Sequence, residues 1–210
     1  MEIQMYTFLW TTIFLATLIW SGIYPRDQFT WLLEVLPAVV GALILLATYK
    51  KFPLTPLLYA LILAHCIVLM VGGHYTYAEV PLFDTLKEVF HWERNNYDKV
   101  GHFFQGFVPA LIAREIFIRK QVISTKTWLN FIVICVVLAI SAFYELIEWW
   151  VALATKENAE AFLGTQGYVW DTQSDMAYAL LGGIIALLSL SSLHDKELKN
   201  FDKSSISSFS

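Results

Sequence analysis

Three pairs of ionisable side chains stand out by type and spacing: Asp98 and His102 in YDKVGHFFQGF, Glu145 and Glu148 in YELIEWW, Asp171 and Asp175 in YVWDTQSDMAYALLGG. Residues three or four apart share one face of a helix, so each pair projects together. A histidine-plus-carboxylate set suits a divalent metal such as Zn, Mn or Fe, and an oxygen-only set suits Mg. The candidate metal ligands are Asp98, His102, Asp171 and Asp175. Glu145 and Glu148 are the candidate catalytic acids: beside a metal ion that lowers the pKa of water, either would serve as a general base. Lys99, Gln105, Tyr144 and His74 are placed to support them.

The helix dipole separates these pairs. Asp98, Asp171 and Asp175 lie near helix N-termini, where negative charge is favoured and capping alone accounts for an acid. Glu145 and Glu148 lie near a C-terminal end, where the dipole disfavours them and they repel each other. A bound cation, His102, Lys99 or protonation of one acid has to offset this. Ionisable groups inside a membrane segment are costly and point to function. Three readings of the cluster stay open: a metal site, a metal-free acid/base or proton-relay site, and interhelical bonding only.

The elements that position these residues are apolar. The chain has 210 residues, 57% hydrophobic and 15% charged, with mean hydropathy +0.56. Soluble domains carry about 25% charged residues, so the composition is that of a membrane protein. A net charge of -4 with no basic block excludes nucleic acid as a partner. Cys66 and Cys135 sit in apolar runs without metal-type spacing and read as small buried hydrophobes. The first run has only Glu2 ahead of it and no clear small-residue cleavage site, so no cleaved signal peptide is expected. A Ser-His-Asp order, a phosphate loop and HExxH are all missing from the sequence.

Six apolar runs are expected to cross the bilayer, over about 6–23, 31–49, 57–71, 101–118, 128–151 and 175–193. Between the third and fourth, Leu82, Phe83, Leu86, Val89, Phe90 and Glu93 follow helical spacing and predict a short amphipathic helix in the interface. The fold class is therefore all-α, a polytopic membrane helix bundle with about six transmembrane helices and one interfacial helix. Residues 1–195 form one transmembrane domain, and 196–210 form a polar, disordered cytoplasmic tail. His65 reads as an interhelical hydrogen-bonding residue, His91 and His194 as solvated, and Arg114 and Glu115 as interfacial anchors.

An even span count places both termini on one side. That side holds nine Lys and Arg residues (Lys50, Lys51, Arg114, Arg119, Lys120, Lys126, Lys196, Lys199, Lys203), against five on the other (Arg26, Lys87, Arg94, Lys99, Lys156). The positive-inside rule then makes the termini cytoplasmic. All three pairs fall on the extracytoplasmic face.

The stretches GGHYTYAEVP, NNYDKVGHFFQGFVPALIAREI, FYELIEWW and GYVWDTQSDMAYALLGG resemble the YjdF-type family of bacterial inner-membrane proteins, over roughly Trp20 to Leu190. More distantly, Asp-Lys-x-x-His, a Glu in a span and Asp-x-x-x-Asp before a Gly-rich continuation are similar to VanZ-like membrane proteins. That likeness covers Asp98, Lys99, His102, Glu145, Asp171 and Asp175, and it implies an extracytoplasmic link to the cell envelope. VanZ-like proteins typically show a Glu-x-x-Gln pattern where this chain has Glu145-x-x-Glu148. Neither resemblance supplies a reaction. The expectation is a multi-pass protein of the bacterial inner (cytoplasmic) membrane, embedded in the lipid bilayer. Its outer site would act, as a metal-dependent enzyme, on a lipid or lipid-linked envelope head group. A small ion- or proton-coupled transporter and a structural or accessory membrane protein are the alternatives. Spans five and six are almost wholly apolar below the acids, which favours a one-sided pocket over a pathway.

Overall fold

The computed structural model describes residues 2–155 and 168–207; Lys156, counted above on the outer side, and the last three tail residues lie outside it. The described residues form seven helices and no strand. They are α1 (Glu2–Gly22), α2 (Gln28–Thr48), α3 (Pro56–His74), α4 (Pro81–Phe90), α5 (Tyr97–Arg119), α6 (Lys126–Thr155) and α7 (Asp171–Ser207). Local chemistry sets several starts. The Asp27 carboxylate caps α2 by accepting the Thr30 N–H at 2.7 Å, and this bond holds its pKa below the ordinary carboxylate value. Pro56 and Pro81 open α3 and α4, where a missing N–H costs nothing.

Five helices, α1, α2, α3, α6 and α7, are long and apolar enough to cross a membrane. The expected fourth span, α5, is as long but more polar, with Asp98 and Lys99 at one end, Arg114, Glu115 and Arg119 at the other, and no charge between 100 and 113. It packs against α3, α6 and α7, which cover both charged ends. Hydropathy underrates this helix because protein rather than lipid surrounds it. At ten residues α4 rises only about 15 Å, half a bilayer core, and it exposes Leu82, Val89 and Phe90.

The closest seam joins α5 and α7. A Cβ at Gly106 would fall on the carbonyl of Ala179, and one at Gly182 would fall on that of Phe103. Small residues let the two backbones touch, which is how membrane helices gain packing energy without a hydrophobic driving force between them. The seam fixes α7, and so Asp171 and Asp175, against α5.

One expectation fails at the far end of α7 and another on α6. The helix continues through Ser207, so residues 196–207 are helical rather than a disordered tail. Leu198 is buried, and the Glu197 carboxylate accepts the Leu57 N–H at 2.9 Å, tying the extension to the start of α3. The cysteines divide: Cys66 is buried, whereas Cys135 is exposed on the outside of α6.

Candidate functional site

The polar residues gather at both ends of the α5–α7 seam. At one end, the first turns of α5 and α7 and the last turns of α6 bring Asp98, Lys99, His102, Glu145, Asp171 and Asp175 together. Lys99, buried, contacts Asp171 at 2.8 Å, Asp175 at 2.5 Å and Asp98 at 3.3 Å. Arg94, in the turn before α5, donates to Asp98 and Asp171 at 2.8 Å each. Burial works against the Arg94 charge, but the bond to Asp171 and the neighbouring Asp98 and Asp175 outweigh it and raise its pKa. Tyr168 lies beneath both cations, 5.8 Å from Arg94 and 5.5 Å from Lys99.

His102 divides the site in two. Its Nε2 faces Asp98 Oδ1 and Asp175 Oδ2, both at 3.7 Å. Its Nδ1 is 3.2 Å from Gln105 Oε1 and 3.9 Å from Glu145 Oε1. If Nδ1 donates to the Gln105 oxygen, the Nε2 lone pair of a neutral ring would face the two acids. Asp98 and Asp175 are held in a complementary way. Lys99 takes Asp98 Oδ2 and Asp175 Oδ1, Arg94 takes Asp98 Oδ2, and the oxygens left over point at Nε2. Such outer contacts orient ligands in metal sites. Potential ligand atoms of Asp98, His102 and Asp175 lie within 4.8 Å of one another, and so do those of His102, Glu145 and Glu148.

Of the residues singled out in the sequence, Asp171 is brought to the cluster but is engaged by Arg94 and Lys99 and belongs to neither set of potential ligands. His74 is turned to α1, with Nδ1 2.9 Å from the Ser21 carbonyl and its ring stacked on Trp20. Gln105 bonds His102, and the Tyr144 ring meets the His102 ring edge-on.

The sequence reading missed Glu34 on α2. It is buried and accepts a hydrogen bond from the Tyr144 hydroxyl at 3.4 Å. Its signal was available: it is the one charged residue between Asp27 and Lys50, a lone acid in an apolar run. Tyr77, next to Glu34, follows Thr76 in a pair of left-handed residues with φ of 56° and 58°. This conformation is costly for a β-branched residue, and it seats the Tyr77 ring where Gly72 and Gly101 leave no room for a Cβ. Burial first, and Glu34 second, push the Tyr77 hydroxyl pKa well above the ordinary phenol value.

The opposite end holds a second network. Glu115, fully buried on α5, accepts from Thr55 N–H and Oγ1, from Arg119 at 2.8 Å and from His194 Nε2 at 2.9 Å. Arg114 approaches His194 Nδ1 at 3.1 Å and Asp195 at 2.5 Å. Arginine can only donate, so Nδ1 accepts and the His194 proton sits on Nε2. The readings of Arg114 and Glu115 as interfacial anchors and of His194 as solvated are therefore corrected: all three are buried between α3, α5 and α7. His65 is corrected too, since its Nε2 is buried without a hydrogen-bond partner and its ring packs near Phe104.

A family model described as "Predicted membrane protein (DUF2238)" matches residues 6–196. The chain belongs to this family. It is also 54% identical over 184 residues to the Escherichia coli (strain K12) inner membrane protein YjdF, covering 88% of each chain. No solved structure matches. The likeness to VanZ-like proteins rests on the motifs alone.

Proposed function

We propose that this membrane protein binds a divalent cation at the end of the bundle where α5, α6 and α7 meet, and uses it to act on the head group of a lipid or lipid-linked envelope molecule. The observation that carries the reading is the aim of three ligand atoms, Asp98 Oδ1, His102 Nε2 and Asp175 Oδ2, across two contacts of 3.7 Å. Ligands about 2.1 Å from a tetrahedral metal stand about 3.4 Å apart, so a small inward movement suffices. A nitrogen and two carboxylates favour Zn, Mn or Fe over Mg.

Charge supports the same reading. Six acids (Glu34, Asp98, Glu145, Glu148, Asp171 and Asp175) lie at this end of the bundle with two permanent cations, Arg94 and Lys99, which contact Asp98, Asp171 and Asp175. Glu145 Oε1 is buried without a hydrogen-bond partner and lies on the His102 side of the site. An unpaired carboxylate oxygen away from water is costly, and a cation in the second set, among His102, Glu145 and Glu148, would relieve it. When bound, the metal would polarise a substrate oxygen or lower the pKa of a water. With the cation in the His102, Glu145 and Glu148 set, the acid not bound to it would hold the proton taken from that water. Exposed Trp92, Trp149, Trp150, Tyr168 and Trp170 flank the site residues in sequence, as expected at head-group level.

Placement in a bacterial inner membrane follows the relative's name, and cytoplasmic termini follow the nine-to-five distribution of Lys and Arg. Reporter fusions at Ser210 and between Asp84 and Asn95 test the orientation.

A second reading has its own support. Lys99 and Arg94 already neutralise part of the Asp98, Asp171 and Asp175 charge, which suits a metal-free acid/base or interhelical role. Thermal unfolding in mild detergent separates the two. On the metal reading, chelator lowers Tm, one divalent metal restores it, and His102→Ala removes the restoration. Equal Tm with and without chelator, in protein free of tightly bound metal, leaves the metal-free reading.

A further inference from the structure

Glu34 comes from a helix that packs on α1 and α3, away from the three helices of the site. It is nonetheless buried and faces the site through Tyr144, one residue before Glu145. Tyr144 has two contacts of note: its hydroxyl donates to Glu34 Oε2 at 3.4 Å, and its ring meets the His102 ring at 6.3 Å between centroids. Gly73 lets α3 pass close by, since a Cβ there would meet the Glu34 Cβ at 3.2 Å. The left-handed Thr76–Tyr77 turn brings a second tyrosine hydroxyl toward the same carboxylate. A carboxylate buried in an apolar helix is retained at a cost, and here two phenols from two other elements converge on it.

We propose that Glu34 is a positioning residue of the site, acting on the α6 acids through the hydroxyl of Tyr144. The 3.4 Å bond is long for an O–H···O contact, so its strength is small and its effect is directional. It fixes the rotation of the Tyr144 ring and with it the turn of α6 that carries Glu145 and Glu148. Without the acceptor, or without the hydroxyl, that anchor is lost and the turn is no longer held in place. The proposal rests on the metal reading only for its consequence in binding, so the test has one arm with metal and one without.

In the first arm, Mn2+ and Zn2+ binding to the purified protein is measured by titration calorimetry for wild type, His102→Ala, Glu34→Gln, Glu34→Leu and Tyr144→Phe. In the second, dicyclohexylcarbodiimide labelling of Glu145 and Glu148 is followed site by site by mass spectrometry in metal-free protein. Glu34→Gln removes the acidic group but keeps an acceptor oxygen, whereas Glu34→Leu removes both. The expected pattern is wild-type labelling in Glu34→Gln and rates changed about threefold or more, and alike, in Glu34→Leu and Tyr144→Phe, the size expected of coupled neighbours. The Glu34→Leu/Tyr144→Phe double variant matches the singles. Tyr144→Phe, the mildest change, decides the matter if Glu34→Leu does not fold. Labelling unchanged in Tyr144→Phe, Glu34→Gln behaving as Glu34→Leu, or additive effects in the double variant each overturn the proposal. Wild-type protein that binds neither metal overturns the metal reading alone, and the labelling arm still decides Glu34.

Discussion

The two ends of the α5–α7 seam use the same residue types to opposite effect. Around Glu115 and His194, two arginines face two acids, both Glu115 oxygens have donors within hydrogen-bond reach, and both His194 nitrogens are engaged. Around His102, the acids outnumber the cations, the three contacts between His102 and its acids are 3.7 to 3.9 Å, and Glu145 Oε1 has no partner. A network that is charge-balanced, with only the Arg114 Nε–H among its described buried atoms left without a partner, holds helices together. On the reading proposed above, the end where acids outnumber cations and ligand atoms aim at a common point would receive a cation.

The comparison breaks most readily at the closed end. Glu115→Ala leaves Arg119 and His194 without their buried acceptor and should cost about 3–5 kcal/mol, read as a large fall in Tm and in folded yield. Next comes the seam itself. Gly106→Val drives a branched side chain into the Ala179 carbonyl and should cost about 1–3 kcal/mol or more, displacing both networks together. Acids of the open end should behave otherwise. In metal-free protein Glu145→Gln replaces an acid whose Oε1 is buried without a partner, so Tm should hold or rise, whereas with metal present the variant should lose any stabilisation that depends on the acid. A fall in metal-free Tm like that of Glu115→Ala would erase the distinction between the ends.

The smallest effect is expected outside both networks. Asp27→Ala removes the cap of α2 and should cost about 1 kcal/mol. The folded-state pKa of Asp27 is lowered by the Thr30 N–H. Its contribution is therefore present above the unfolded carboxylate pKa and is lost as pH falls through the lowered folded value. The Tm difference between wild type and Asp27→Ala should shrink over that acid window and stay constant above it.

Much of this architecture could be read from the sequence, and the failures have physical causes. The helices with lipid on their flanks announce themselves through hydropathy, and the pairs at positions 98/102, 145/148 and 171/175 through helical spacing. Helix α5 is harder because neighbouring helices cover its polar ends, so its charges look like flanks when they are buried. The same cause hid His194 and Glu115, whose partners come from three helices at sequence distances no local pattern reveals. Glu34 carried a local signal, but its partner lies 110 residues away. His74 was placed by proximity to a span end, while its ring had a nearer partner in Ser21.

The central claim is that the end carrying His102 binds a divalent cation and the end carrying His194 does not. Elemental analysis of protein purified in mild detergent tests it most directly, run on wild type, Asp98→Asn, His102→Ala and Asp175→Asn, with His194→Gln as the control from the closed end. The account predicts stoichiometric Zn, Mn or Fe in wild type and in His194→Gln, and its loss in the other three variants. Metal lost from His194→Gln as readily as from His102→Ala, or absent from wild type even after supplementation with each metal, would contradict it.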